Sequence, residues 1–131
     1  MQEQVSAVSD CVRLIVPATP EYARSVRMLA ANLAVIAGFS VDEVEDVRMA
    51  AEEGFVWCCA TSPASCDVAF CVGEGGVAME FAFGATAPAQ DDQAPAYAQL
   101  ILEAVCSECE MDQEAGKLRL CLEKGMELID A

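Results

Sequence analysis

The side chains with the most chemical reach are eight cysteines, in a chain of 131 residues that contains no histidine. Two of them, in Cys106-Ser107-Glu108-Cys109, have the two-residue gap of metal and redox thiols. A zinc site needs a second ligand pair. Cys58/Cys59 and Cys66/Cys71 are the best candidates, and neither has standard spacing. A thioredoxin-like centre needs the motif at a helix start after a strand; here it falls late in an expected helix. The other cysteines sit in apolar runs: Cys11 beside Val12, Cys58 and Cys59 after Trp57, Cys71 beside Val72, Cys121 between Leu120 and Leu122. Free cysteine behaves as a small buried hydrophobe. The thiols therefore read as reduced and structural, with a Cys-based metal or redox protein as the alternative and no metal ligands assigned. Without histidine, Ser-His-Asp and Cys-His catalysis and every His-containing metal site drop out.

Charge narrows the partners. There are 22 acids against 7 bases, a formal net charge of −15. Phosphate backbones are bound by clusters of Lys and Arg that replace counterions, and the bases here are scattered, so nucleic acid is not an expected partner. The acidity keeps the chain soluble and would attract a basic protein. Hydrophobic residues make up 55% and charged residues 22%, which excludes disorder. No apolar run approaches the ~18 residues of a membrane span. The N-terminus is polar and acidic and has no apolar signal core, so a cytoplasmic protein is expected. The length suits a single domain over residues 1–131, with residues 1–10 as a disordered or frayed N-terminus.

The elements that must position any site follow from periodicity. Residues 11–16 alternate, with Val12, Leu14 and Val16 on one face, and predict a strand stopped by Pro17. Thr19-Pro20 gives an N-cap and a proline at the first helical position. Tyr22, Val26, Leu29, Leu33 and Ile36 form the expected apolar face of that helix, which ends at Gly38. Ser40 and Glu43 form a capping box, so a second helix starts at about Val41. Its stripe is Val44, Val47, Ala51, Gly54, Phe55 and Cys58, its first turns carry Asp42, Glu43, Glu45 and Asp46, and Thr61-Ser62-Pro63 ends it. Cys66 to Val72 and Val77 to Phe83 alternate about Gly73-Glu74-Gly75-Gly76 and predict a hairpin with Val77, Met79, Phe81 and Phe83 on one face. Residues 84–95 are expected to be a loop. A helix is expected over Ala96 to Cys109, with Tyr97, Leu100, Ile101, Ala104 and Val105 inward, then a strand over Lys117 to Glu123. The order β-α-α-β-β-loop-α-β describes an α+β two-layer sandwich: a mostly antiparallel mixed sheet with helices on one face.

This order, with the run Leu14-Ile15-Val16-Pro17-Ala18-Thr19-Pro20-Glu21-Tyr22 and residues 38–53 (Gly38-Phe39-Ser40 through Glu52-Glu53), resembles the anti-sigma factor serine kinases. These belong to the GHKL superfamily of histidine-kinase-like (Bergerat) ATPases. By sequence the resemblance covers residues 13–56, and by element order it reaches about residue 124. It implies an ATP site with three devices. The first is Glu-x-x-x-Asn on the second helix, where Asn holds Mg²⁺ and Glu is the general base on the partner's hydroxyl. Glu53 matches, but Trp57 stands at the Asn position. An indole N–H is only a donor, whereas Mg²⁺ takes oxygen ligands. The second is Asp-x-Gly-x-Gly after the third strand; the corresponding stretch is Phe81-Ala82-Phe83-Gly84-Ala85-Thr86-Ala87, with no Asp and one glycine. The third is a glycine-rich opening of the lid helix that offers N–H groups to phosphate; here Gln93-Ala94-Pro95-Ala96-Tyr97-Ala98 has none, and Pro95 lacks an N–H.

The resemblance thus implies a Bergerat-type fold with a degenerate nucleotide site at Trp57, Phe83 and Gly84, where Trp57 and Phe83 fill part of the pocket. Trp57 is otherwise an exposed contact residue. Glu53 is the one catalytic match and otherwise an acid at the solvent edge beside Glu52. The expected function is anti-sigma-like regulation by protein–protein binding in a bacterial, cytoplasmic setting, without ATP hydrolysis and with no cofactor. An active ATP- and Mg²⁺-dependent serine/threonine kinase is the alternative. The implied partners are a sigma factor or an anti-sigma antagonist, and a homodimer through the first strand and helix. The acids Glu103, Glu108, Glu110, Asp112 and Glu114 are a solvated face or a docking surface for basic sigma-factor helices.

Overall fold

A computed structural model describes residues 10–84 and 93–125, apart from the side chains of 93–95. The elements are β1 (Asp10–Pro17), a 3-10 turn (Pro20–Tyr22), α1 (Ala23–Ile36), α2 (Val41–Cys59), β2 (Ser65–Gly73), β3 (Gly76–Ala82), α3 (Gln93–Val105), β4 (Glu108–Asp112) and β5 (Lys117–Glu123). The strands form one sheet in the order β1-β2-β3-β5-β4. Among the described residues every neighbouring pair is antiparallel, with none of the parallel pairing of a mixed sheet. Asp10, expected in the frayed N-terminus, begins β1; the rest of that expectation, residues 1–9, and residues 85–92 of the expected 84–95 loop lie outside the described residues.

Alternation makes the two layers. Cys66, Val68, Phe70 and Val72 of β2, Val77, Met79 and Phe81 of β3, and Leu118, Leu120 and Leu122 of β5 point one way and are buried under the helices. The intervening residues form an outer face with no helix over it among the described residues. Pro17 lies in β1, which among the described residues pairs only with β2; an edge strand tolerates its missing N–H. Phe55 of α2 is fully buried against this core and contributes about 1.5–3 kcal/mol relative to exposure.

Three expectations are corrected. The buried side of α1 is Ala23, Val26, Ala30, Leu33 and Ala34, and Ile36 is 66% exposed. Of the expected face, Val26 and Leu33 are buried and Tyr22 and Leu29 pack against the core; the small alanines widen the buried side, and Ile36 alone falls outside it. Second, α3 starts at Gln93 and ends at Val105. Proline is tolerated in a first turn, so Pro95 does not delay the start. Ala98 and Leu102 are buried and Val105 packs against the core; Ile101 is half-buried, Ala104 is exposed, and Tyr97 and Leu100 are 64% and 67% exposed. Third, residues 108–112 are the strand β4 rather than helix end and turn. The Ser107 N–H and hydroxyl both donate to the Cys121 carbonyl at 2.8 Å and turn the chain onto β5. Cys109 and Met111 then face the core, and Glu108, Glu110 and Asp112 face out. Acids are poor strand formers, which hides this alternation in the sequence.

Candidate functional site

The helix that carries Glu53 and Trp57 is fixed at its start. The Glu43 N–H donates to Ser40 Oγ at 3.2 Å, and the Ser40 N–H donates to Glu43 Oε1 at 2.7 Å, the reciprocal capping box. The Ser40 N–H, and after it the Gly125 N–H, donate to the Glu43 carboxylate and lower its titration from the ordinary value. Gly54 then lets the middle of α2 settle onto the sheet. A Cβ there would lie 3.0 Å from Leu120 Cδ1 and 3.1 Å from Phe81 Cζ. Glu52, on one side of this contact, pairs with Arg27 of α1 at 3.0 Å. Glu53 is half-buried, and its carboxyl is raised above the usual range by burial first and by Glu52 second.

Trp57 stands one turn beyond Glu53. It is 5% exposed and Phe83 is 6% exposed. Their rings meet edge to face, with centroids 5.6 Å apart and planes at 87°, a favoured aromatic geometry. Trp57 is thus a core residue, not an exposed contact. Phe83 follows β3 and is held by its N–H donating to the Gly116 carbonyl at 2.8 Å. Gly84 comes next, and Gly116 of the β4–β5 turn lies against it. A Cβ on Gly116 would sit 2.1 Å from the Gly84 carbonyl carbon, and the φ of +71° favours glycine as well. Glu53, Trp57, Phe83 and Gly84 therefore belong to one end of α2 and the exit of β3. Ala85 to Ala87, the rest of the stretch aligned with the adenine-binding motif, lie outside the described residues.

The sequence offers no motif that marks Gly116. Asp46, one of the acids in the first turns of α2, lies two turns before Glu53 on the same helical side. Its carboxyl is raised by burial first, then by Asp42, Glu43 and Glu45. Chemically, a carboxylate such as Glu53 can accept a proton, but neither the Trp57 indole nor the Phe83 ring can ligate a metal.

The cysteines are all free thiols. Cys106 is buried at the end of α3, where burial pushes its thiol up to about 12, and Cys109 is half-buried on β4. Their pair spans a helix end and a strand, not a helix start. Cys58 and Cys66 are both buried, and burial pushes the Cys58 thiol well up. Among the described residues no group of three or more Cys, Asp or Glu is placed to hold a metal ion. No described helix is long and apolar enough to cross a membrane.

The open sheet face holds a groove of about 480 Å³. Ala69 and Ala82 form its floor, and Arg13, Glu80, Glu110 and Arg119 border it. Arg13 pairs with Asp67, and Arg119 with Glu80 at 3.4 Å and Glu108 at 3.3 Å. The acids Glu108, Glu110 and Asp112 thus stand on an outer sheet face, while Glu103 and Glu114 are exposed elsewhere.

No family model matches the chain, and no curated protein matches it. Among solved structures, its fold is similar to the crystal structure of the RsbU and RsbW domains of Rv1364c from Mycobacterium tuberculosis, with a TM-score of 0.66 and 19% identity. The match covers 88% of this chain and 32% of that one, so this chain spans about a third of that protein's length. That likeness establishes the fold: α+β, with an open five-stranded antiparallel sheet and helices, of the kind found in that structure.

Proposed function

We propose that this chain is an anti-sigma-type regulatory protein that acts by binding another protein, without hydrolysing ATP or transferring phosphate. The observation that carries this reading is the buried Trp57–Phe83 pair. It fills the positions where the resemblance of residues 13–56 to anti-sigma factor kinases would put a Mg²⁺ ligand and the edge of the adenine site. The similarity to a structure containing an RsbW domain supports the regulatory setting. The net charge of −15 favours a basic partner surface, such as a sigma-factor helix, and a cytoplasmic location goes with that reading. A homodimer through β1 and α1 belongs to the same proposal.

A second reading, an ATP-dependent serine/threonine kinase with a divergent site, is favoured by one feature. The raised carboxyl of Glu53 is more basic than a free glutamate, as a general base requires.

The test is calorimetric titration of the reduced protein with ATP, with and without Mg²⁺. The binding-protein reading expects no heat up to millimolar nucleotide. Saturable binding with Kd near ~10 μM, about −7 kcal/mol, overturns it and puts the kinase reading first, with ATP and Mg²⁺ as cofactors.

A further inference from the structure

Of the eight cysteines, two face each other across a strand pair at the open surface. Cys11 of β1 and Cys71 of β2 are Cα partners in the antiparallel register. Both point to the outer sheet face, since their neighbours Val12, Phe70 and Val72 point inward. Directly opposed residues of an antiparallel pair have Cα atoms about 4.5 or 5.5 Å apart. Either distance lies within the roughly 4.4–6.8 Å that a disulfide spans. The two thiols are already within hydrogen-bonding reach of each other. Cys11 is exposed on an edge strand, and Cys71 is half-buried.

The other thiols lack this combination. Cys58, Cys66 and Cys106 are buried, and Cys59 and Cys109 pack against the core rather than on the outer face. Cys121 shares the outer-face row, but Ala78 separates it from Cys71. Two strand spacings of about 4.8 Å put its Cα beyond the roughly 7 Å limit for a bridge.

We propose that Cys11 and Cys71 form a reversible dithiol site that reacts with low-molecular-weight disulfides of the glutathione class. The Cys11 thiolate attacks one sulfur of the small disulfide. Its S–S bond breaks, one small thiolate leaves, and Cys11 holds the mixed disulfide. The Cys71 thiolate then attacks the Cys11 sulfur and expels the second small thiolate. Two electrons pass from the protein to the reagent, and the two thiol protons end on the two small thiols. The order of attack follows from the surroundings. Burial, the hydrogen bond with the Cys11 thiol and the Glu80 carboxylate push the Cys71 thiol up to about 11, with Arg119 opposing. Cys71 is therefore the resolving sulfur and Cys11 the entry point. The product ties the edge strand β1 covalently to β2 and closes the chain between residues 11 and 71.

The test treats the reduced full chain with oxidised glutathione, traps remaining thiols by alkylation and maps the peptides. The expected product has no disulfide between chains, has lost two hydrogens per chain, carries a Cys11–Cys71 link with the buried cysteines alkylated only after unfolding, and is reversed by dithiothreitol. C71A traps one glutathione on Cys11, and C11A abolishes both the link and that adduct. A link between other cysteines, a dimer joined through Cys11, or full alkylation of Cys11 and Cys71 after treatment overturns the proposal. The wild-type peptide map decides this without relying on either variant to fold.

Discussion

At the residue scale, Glu53 is a carboxylate kept where its charge is unwelcome. Burial and Glu52 favour its protonated form, so the folded state binds the proton more tightly than the unfolded chain does. An acid raised in this way adds stability below its unfolded titration, and that contribution is lost as pH rises through the folded one. Glu53→Gln, uncharged at every pH, is therefore expected to melt higher than wild type at pH 7. The two should converge in acid, below the usual carboxylate range. Melting curves from pH 3 to pH 8 check this, and a Gln variant that is less stable at pH 7 would mean the carboxylate makes a favourable contact. Trp57 and Phe83 carry no charge to titrate; their role is to fill space, which makes the proposed absence of nucleotide binding a matter of volume as well as of missing ligands.

At the element scale, the seating of α2 depends on what Gly54 lacks. Alanine is the better helix former by about 1 kcal/mol. Its methyl, however, would press on Leu118, Leu120 and Phe81, which are fully or almost fully buried and have nowhere to move. Overpacking of this kind costs about 1–3 kcal/mol. Gly54→Ala is expected to lose about 1 kcal/mol net, lowering Tm by about 3–6 °C. A rise in Tm would show that α2 can lift from the sheet without penalty. The same element was legible in the sequence. Its capping box and its stripe of Val47, Ala51, Phe55 and Cys58 are local patterns, and all of them hold. The failures were also elemental. On α3 the large apolar residues Tyr97 and Leu100 are mostly exposed and the small Ala98 is buried, so side-chain size misleads about which face turns inward.

At the scale of the whole molecule, the charge of −15 works against compactness. The pairs Arg13–Asp67, Arg27–Glu52 and Arg119 with Glu80 and Glu108 engage only a few of the acids. Screening shortens from about 30 Å at 0.01 M salt to about 10 Å at 0.1 M. Tm is therefore expected to rise with sodium chloride over that range; a fall would show that these pairs outweigh the repulsion. The sequence by itself determined the hairpin of β2 and β3, the capped start of α2, the strand β5 and the α+β class, because alternation, capping and turn chemistry act within a few residues. The run over residues 13–56 was also enough to point to the kind of fold. Only the tertiary structure decided that residues 108–112 pair as β4, that alanines seat α1, that Trp57 closes on Phe83, and that Cys11 meets Cys71. Each of these depends on groups far apart in the chain, and side chains of weak local preference take the state that their distant neighbours complete.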